Sequence, residues 1–213
     1  YPYFSRNVAE YWRNWHISLT SWITDYVFMP LNIKFRNLGD LGIILAIIIN
    51  LVLVGIWHGA NWTFAVFGLY HGLLFIPLIL SGTFFKKKKL KTNKYGLPTI
   101  IDFSKMVGTF LLVTSGLIIF RAENISQAWQ YISGIFNIAF ASLLDFHGYR
   151  FTAAIPPIVF SLFLFGIEWI YKDSEYPLAK LGLKWKRPLR YAMYYSLIIA
   201  IYWFGGKEQQ FIY

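Results

Sequence analysis

From Leu41 to Leu80 the chain reads LGIILAIIINLVLVGIWHGANWTFAVFGLYHGLLFIPLIL. No Asp, Glu, Lys or Arg interrupts it. A membrane-crossing helix needs about 20 mostly apolar residues. The stretch supplies two such runs, from Leu41 to Trp57 and from Trp62 to Leu80, on either side of the break HGAN. Gly59 and Asn61 are residue types that take the left-handed backbone at helix ends. A break in an apolar helix is tolerated only inside protein or along a wet cavity, because lipid satisfies no backbone groups. An ionisable residue at such a break is a functional candidate by default. That residue is His58.

Three further apolar segments extend the pattern, over about Met106 to Phe120, Phe151 to Tyr171 and Tyr191 to Phe204. The reading is an all-α, polytopic membrane helix bundle with five spans. Composition agrees: 57% of the 213 residues are hydrophobic and 14% charged, and mean hydropathy is +0.47. Soluble domains are typically about half apolar and about a quarter charged. The net charge of +10 does not indicate nucleic acid, since the cations cluster between the apolar runs. Lys86 to Lys89, Lys91 and Lys94 follow the second span. Lys172, Lys180, Lys184, Lys186, Arg187 and Arg190 follow the fourth. The loop after the third holds only Arg121 and Arg150. By the positive-inside rule the Lys-rich loops are cytoplasmic and the loop after Arg121 faces outward. The first span then runs outward and the second returns. The absence of cysteine excludes disulfides and thiolate chemistry. The chain opens at Tyr1 in mid-pattern and is read as a piece of a longer protein.

Between Arg6 and Met29, residues Trp12, Trp15, His16, Leu19, Trp22, Ile23 and Tyr26 recur at three- and four-residue intervals, which marks one face of a helix. Pro30 is a natural stop. Two placements fit: an amphipathic helix in the cytoplasmic membrane interface, or a helix packed against the bundle. Ala128, Trp129, Ile132 and Ile135 give a weaker helical pattern after the third span.

The candidate chemistry rests on imidazole, which exchanges protons near neutral pH. Burial beside Trp57 and Trp62 would hold His58 neutral and basic, able to deprotonate a hydroxyl as it attacks an activated acyl carbonyl. Asn61 is close enough in sequence to orient the imidazole or the acceptor. The plain alternative is that His58 caps helix carbonyls. His16, one turn after Trp12, is either a second catalytic or donor-binding group or a structural histidine. His71, in mid-span, either lines a cavity or bonds a neighbouring helix. No histidines pair at metal-ligand spacing and no carboxylate lies near His58, so neither a metal nor a bound cofactor is expected. A transporter or scaffold role stays open on these residues alone.

Two blocks carry a family resemblance. EYWRNWHISLTSWITDYVFMPL, Glu10 to Leu31, resembles the first signature of the membrane-bound O-acyltransferase family. GIWHGANWTFAVFGLYHGL, Gly55 to Leu73, resembles the second, in the same order and separation. IFRAENISQAW from Ile119 and GGKEQQFIY from Gly205 resemble later blocks of the bacterial branch. ANWTF favours the alginate O-acetyltransferase type, while DYVFM also resembles the teichoic acid D-alanyl transferases. The resemblance implies a membrane bundle pierced by a tunnel, with His58 as catalytic base and His16 as a second characteristic histidine nearer the cytoplasm. It implies an acyl donor such as acetyl-CoA or an acyl-carrier protein, approaching near His16, Trp12, Arg13 and Trp15. The acceptor would be an envelope polysaccharide, reached directly or through a periplasmic or surface partner. The location implied is the bacterial cytoplasmic membrane. Family members are about twice this length, so the earlier spans are expected to lie outside this chain.

The derived topology has a direct check. Cysteines introduced singly at Lys88 and Asn124 are expected to react with an impermeant reagent from opposite sides of the membrane, and labelling from one side overturns the span order.

Overall fold

The computed structural model describes residues 2–86, 90, 92–93, 96–137, 151–171, 182–183 and 185–205. Most of the Lys-rich loops, His147 and the tail after Gly205 lie outside them. The described residues form helices, joined by turns and one isolated bridge between Thr92 and Pro98. The chain divides into two compact units, residues up to 140 and residues from 141.

The first unit is built on an antiparallel helix pair, α4 (Asp40–Trp57) and α5 (Trp62–Leu73). The two helices approach backbone to backbone. A Cβ added at Gly55 would overlap the carbonyl of Phe64, and one at Gly68 the carbonyl of Leu51. Without a hydrophobic force between helices in lipid, such small-residue contacts allow the close packing that holds them. α5 ends at Leu73, and α6 (Ile76–Leu80) resumes with Pro77 in its first turn, where a missing N–H does least harm. The expected second span, Trp62 to Leu80, is therefore interrupted.

α7 (Ile100–Arg121) packs on α5 and is longer than the 106–120 span expected. Its start is set by Thr99, whose hydroxyl accepts the Asp102 N–H at 3.2 Å. Asp102 is thus in the first turn, where its charge suits the helix dipole. α8 (Ile125–Asn137) begins where Asn124 Oδ1 accepts the Gln127 N–H at 2.9 Å and Gln127 reaches back to the Glu123 N–H at 2.7 Å, a capping-box arrangement.

The segment expected as one amphipathic helix from Arg6 to Met29 is instead bent. α1 (Val8–Asn14) ends at Trp15, which is extended, and His16 follows in the left-handed region at φ 45°. α2 (Ile17–Ile23) leads through a π-helical turn (Thr24–Phe28) into α3 (Met29–Lys34). Pro30 does not stop the helix. It falls in the first turn of α3, and the π turn ahead of it closes with the Met29 N–H on the Thr24 carbonyl. One end of this run touches α4 at Trp57 through His16, and the other meets Gly42 through Phe35. From residue 17 to 34 the chain therefore runs antiparallel to α4. α1 packs inward, with Val8, Ala9, Tyr11 and Trp12 in the hydrophobic core. Of the two placements open in the sequence, α1 takes the packed one.

By length and composition Asp40–Trp57, Trp62–Leu80 and Ile100–Arg121 can each cross a membrane. Only 28–44% of each apolar window is buried inside the unit, and Leu53, Ile56, Leu111 and Leu117 are among the exposed side chains. Water would make such faces a liability, whereas lipid solvates them. In the second unit, α9 (Phe151–Ile170) carries Pro156 and Pro157 within it, and α10 (Arg187–Phe204) begins with Pro188 in its first turn. Phe160 and Phe204 meet edge to face at 5.3 Å.

The α4–α5 contact predicts a contrast between glycines. Gly68→Ala should lower stability by about 1–3 kcal/mol, read as the thermal midpoint of the detergent-solubilised full-length protein. Gly108→Ala on α7, which faces open space, should leave the midpoint unchanged or slightly raised.

Candidate active site

α4 ends because Gly59 (φ 153°) and Ala60 turn the chain and Asn61 starts the next helix. The Asn61 side chain accepts the Thr63 N–H at 3.1 Å and donates to the Glu123 carbonyl at 2.8 Å. It caps α5 and ties this turn to the one after α7. The sequence reading gave Asn61 to the imidazole or acceptor, but its amide is committed to backbone groups at both ends.

His58, one residue past the end of α4, lies among aromatic rings. Its ring meets Phe120 edge to face at 4.9 Å and Trp57 at 4.9 Å, with Phe64 at 6.3 Å. Neither ring nitrogen hydrogen-bonds to a described residue. The imidazole therefore caps no helix carbonyl among them. Burial lowers its pKa below the ordinary imidazole value, and the nearby His16 charge lowers it further.

His16 also meets Trp57, edge to face at 6.1 Å. Its left-handed backbone is the one positive φ on a non-glycine residue among those described. Such a conformation is uncommon outside glycine, although histidine is enriched there, and non-glycine residues held in it cluster at functional sites. The sequence reading sets His16 nearer the cytoplasm and His58 further outward. Both stand at the same end of α4, beside Trp57, because the bend after Asn14 carries His16 up to that end.

A second cluster lies deeper. His71, on α5, is completely buried. Its Nδ1 accepts the indole N–H of Trp12 at 3.2 Å, and its Nε2 has no partner among the described residues. Gly116 of α7 leaves just enough room for that edge of the ring, since a Cβ there would collide with Nε2. Trp12 also forms part of the wall of a cavity of about 200 Å³ between α1–α2 and α4, with Arg13, Thr20, Thr24, Asn50 and Val54 among its lining. Arg13 crosses one end and donates to the Phe84 carbonyl at 2.8 Å. Val54 lies one turn before Trp57 and His58. Among the described residues no group of three His, Asp or Glu side chains gathers to hold a metal ion.

A protein-family model described as "MBOAT, membrane-bound O-acyltransferase family" matches residues 2–115, more than half of the chain. The chain belongs to the membrane-bound O-acyltransferase family. Named relatives agree. The probable alginate O-acetylase of Pseudomonas putida is 30% identical over 93% of this chain and 41% of its own length. The teichoic acid D-alanyltransferase of Streptococcus thermophilus is 32% identical over 56% of this chain and 30% of its own. The peptidoglycan O-acetyltransferase of Helicobacter pylori is 29% identical over 67% and 25%. The likeness to the alginate O-acetylase branch read from the sequence therefore holds. The chain spans about a quarter to two-fifths of the length of these relatives.

The match to the O-acyltransferase family takes in α1 to α6 and most of α7, so it covers both histidine blocks and the cavity. The fold brings His16, Trp57 and His58 together at one end of α4 and sets Trp12 and Arg13 on the cavity below. Trp15 stacks on Tyr11 at 5.6 Å and packs against the core. Two residues gained importance only in three dimensions. His71 was noted as a mid-span histidine, but its partner, Trp12, is 59 positions away. Asn50 carried a signal that was overlooked, a lone amide in an aliphatic run.

The Trp12–His71 pair predicts non-additive stability. Trp12→Phe should cost about 1–3 kcal/mol, because it leaves the buried imidazole without its donor. His71→Leu should cost a similar amount. The double variant should be more stable than the sum of the two losses implies, by roughly 0.5 kcal/mol or more. A thermal-melt double-mutant cycle measures this, and strict additivity would show that the bond carries no coupling.

Proposed function

We propose that the full-length protein is an O-acyltransferase of the bacterial cytoplasmic membrane. It would move an acyl group, acetyl by its likeness to the alginate O-acetylases, from a cytoplasmic thioester to hydroxyls of an envelope polysaccharide. The observation that carries this reading is the state of His58: a neutral-leaning imidazole at a helix break, held by aromatic rings, with both nitrogens unengaged by described residues. A histidine serving there as a helix cap would be bonded to a carbonyl. A general base has to keep a nitrogen lone pair available.

In this scheme acetyl-CoA, or an acyl-carrier protein, presents its arm through the cavity below, past Arg13 and Trp12, so that the thioester carbonyl reaches the level of Trp57. The acceptor hydroxyl approaches His58 from the far side. His58 takes the hydroxyl proton as the oxygen attacks the carbonyl carbon. The tetrahedral intermediate then collapses with cleavage of the C–S bond; the thiolate leaves as the thiol by taking one proton from solvent, and His58 gives the hydroxyl's proton back to solvent. His16, which also contacts Trp57, would stand near the donor in this scheme. The acceptor is either the polymer itself or a periplasmic or surface protein that passes the acyl group on. The teichoic acid relative supports a second version, in which the acyl group is D-alanyl and the donor is a carrier protein.

His58→Ala in the full-length protein should reduce polysaccharide O-acetylation by about 10²–10⁴-fold at normal protein levels. Unchanged acetylation rules out the base role and leaves the protein a scaffold. The pH profile adds an independent reading. A base is lost as pH falls through its pKa, and that of His58 is lowered. The acid limb of the wild-type rate should therefore have its midpoint below the ordinary imidazole value of about 6.5. His16→Gln removes one source of the lowering and should shift that midpoint upward.

A further inference from the structure

Asn50 stands midway along α4 in an otherwise aliphatic run, and its side chain lines the cavity between α4 and the bent segment. Its Oδ1 is buried with no hydrogen-bond partner among the described residues. The other polar side chains of the cavity are engaged. Thr20 Oγ1 donates to the Trp15 carbonyl at 2.9 Å, Thr24 Oγ1 donates to the Thr20 carbonyl at 2.7 Å, and Arg13 donates to the Phe84 carbonyl at 2.8 Å. Buried polar groups are normally paired, and one without a partner is a reason to look for a ligand. The surroundings define that ligand. Ile23, Phe28, Ile47 and Leu51 form apolar walls, so the guest is slim and largely apolar, with a polar amide at the level of Asn50.

Helix register gives the distance. Asn50 is eight residues before His58, about 12 Å along the axis at 1.5 Å per residue. In a pantetheine thioester the first amide nitrogen is four bonds from the acyl carbon and the second is eight, roughly 5 and 10 Å in an extended chain with ordinary bond lengths. With the acyl carbon near His58, the second amide reaches Asn50 and the first does not. We propose that Asn50 hydrogen-bonds the second amide of a pantetheine arm lying in this cavity, so that the site selects pantetheine thioesters over shorter thiol donors. This rests on the acyl-transfer reading above and assigns the donor's recognition to a named residue.

The test uses the detergent-solubilised full-length protein with glycerol as a surrogate hydroxyl acceptor, read as thiol release. S-acetylpantetheine carries both amides, and S-acetyl-N-acetylcysteamine carries only the first. Wild type should prefer the pantetheine donor in kcat/KM. Asn50→Leu should lower that preference about five- to tenfold, mainly through the donor KM. Both donors are measured on one preparation, so any loss of folded protein cancels from the ratio. Should the leucine variant yield no active protein, Asn50→Gln supplies the measurement: it displaces the amide along a longer stem, and the preference should again fall. An unchanged ratio, with both donors slowed alike or neither affected, makes Asn50 a packing residue and overturns the proposal while leaving acyl transfer standing. A wild-type protein that releases thiol from neither donor overturns the acyl-transfer reading itself.

Discussion

The bond on which the first unit's arrangement depends is that between the Trp12 indole and His71. It joins a short helix near the start of the chain to the last turn of α5, where His71 is completely buried. An indole N–H and an imidazole are each disfavoured in apolar surroundings unless paired, so the pairing fixes the register of α1 against α5. Once Trp12 is fixed, the chain has three residues before His16, and the left-handed turn there follows from geometry. α1 cannot continue as a helix past Trp15 and also place residues 17 to 34 alongside α4. The strain at His16 is thus the local consequence of a contact several residues earlier. Its effect is to deliver an imidazole to Trp57.

Two interruptions of helix meet at that point, one after Asn14 and one after Trp57. Each alone would leave helix ends exposed to lipid, which satisfies neither N–H nor C=O groups. Here the ends are satisfied locally. Thr20 Oγ1 donates to the Trp15 carbonyl, Asn61 accepts the Thr63 N–H, and the Asn61 amide binds the Glu123 carbonyl. These bonds close the backbone without using the two imidazoles. On the proposed reading, that division of labour separates a reactive histidine from a structural residue. The polar residue nearest to His58 in sequence takes the structural duty, and His58 keeps its nitrogens.

Much of this was legible in the sequence, and the physical reason differs from element to element. Helices α4 and α5 were readable because lipid imposes a simple rule on composition, one that survives without knowledge of packing. The break at His58 was readable because glycine and asparagine punctuate helices by their own backbone preferences. The bend at His16 was not. Residues 6 to 29 have an unbroken helical period, and nothing local marks Trp15 as extended. The bend arises from Trp12 being held by a residue 59 positions away, which periodicity cannot register. Pro30 misled for a related reason. A proline ends a helix only where its missing N–H and ring have no accommodation, and the π turn before it provides one. Asn61 was assigned by proximity in sequence, whereas its hydrogen bonds reach the turn after α7.

If His58 is the base of the proposed transfer, the arrangement also explains why the site lies at a helix end and not within a helix. A group that exchanges a proton with a hydroxyl needs access from one side and shelter from the other. In mid-span, His71 has shelter alone, with Gly116 closing over it, and it serves as a fixed acceptor. At the break, Phe64 and Phe120 shelter His58 while the end of α4 leaves it partly open. The same residue type thus does different work thirteen positions apart, and burial decides which. The cavity along α4 lies on the Trp12 side of this end, and Asn61 and Glu123 lie beside the turn on the α7 side. In the proposed scheme, donor and acceptor would approach the Trp57–His58 corner from these two different directions. A fold that bends one segment up to meet another helix's end creates such a corner without interrupting the apolar faces turned to lipid.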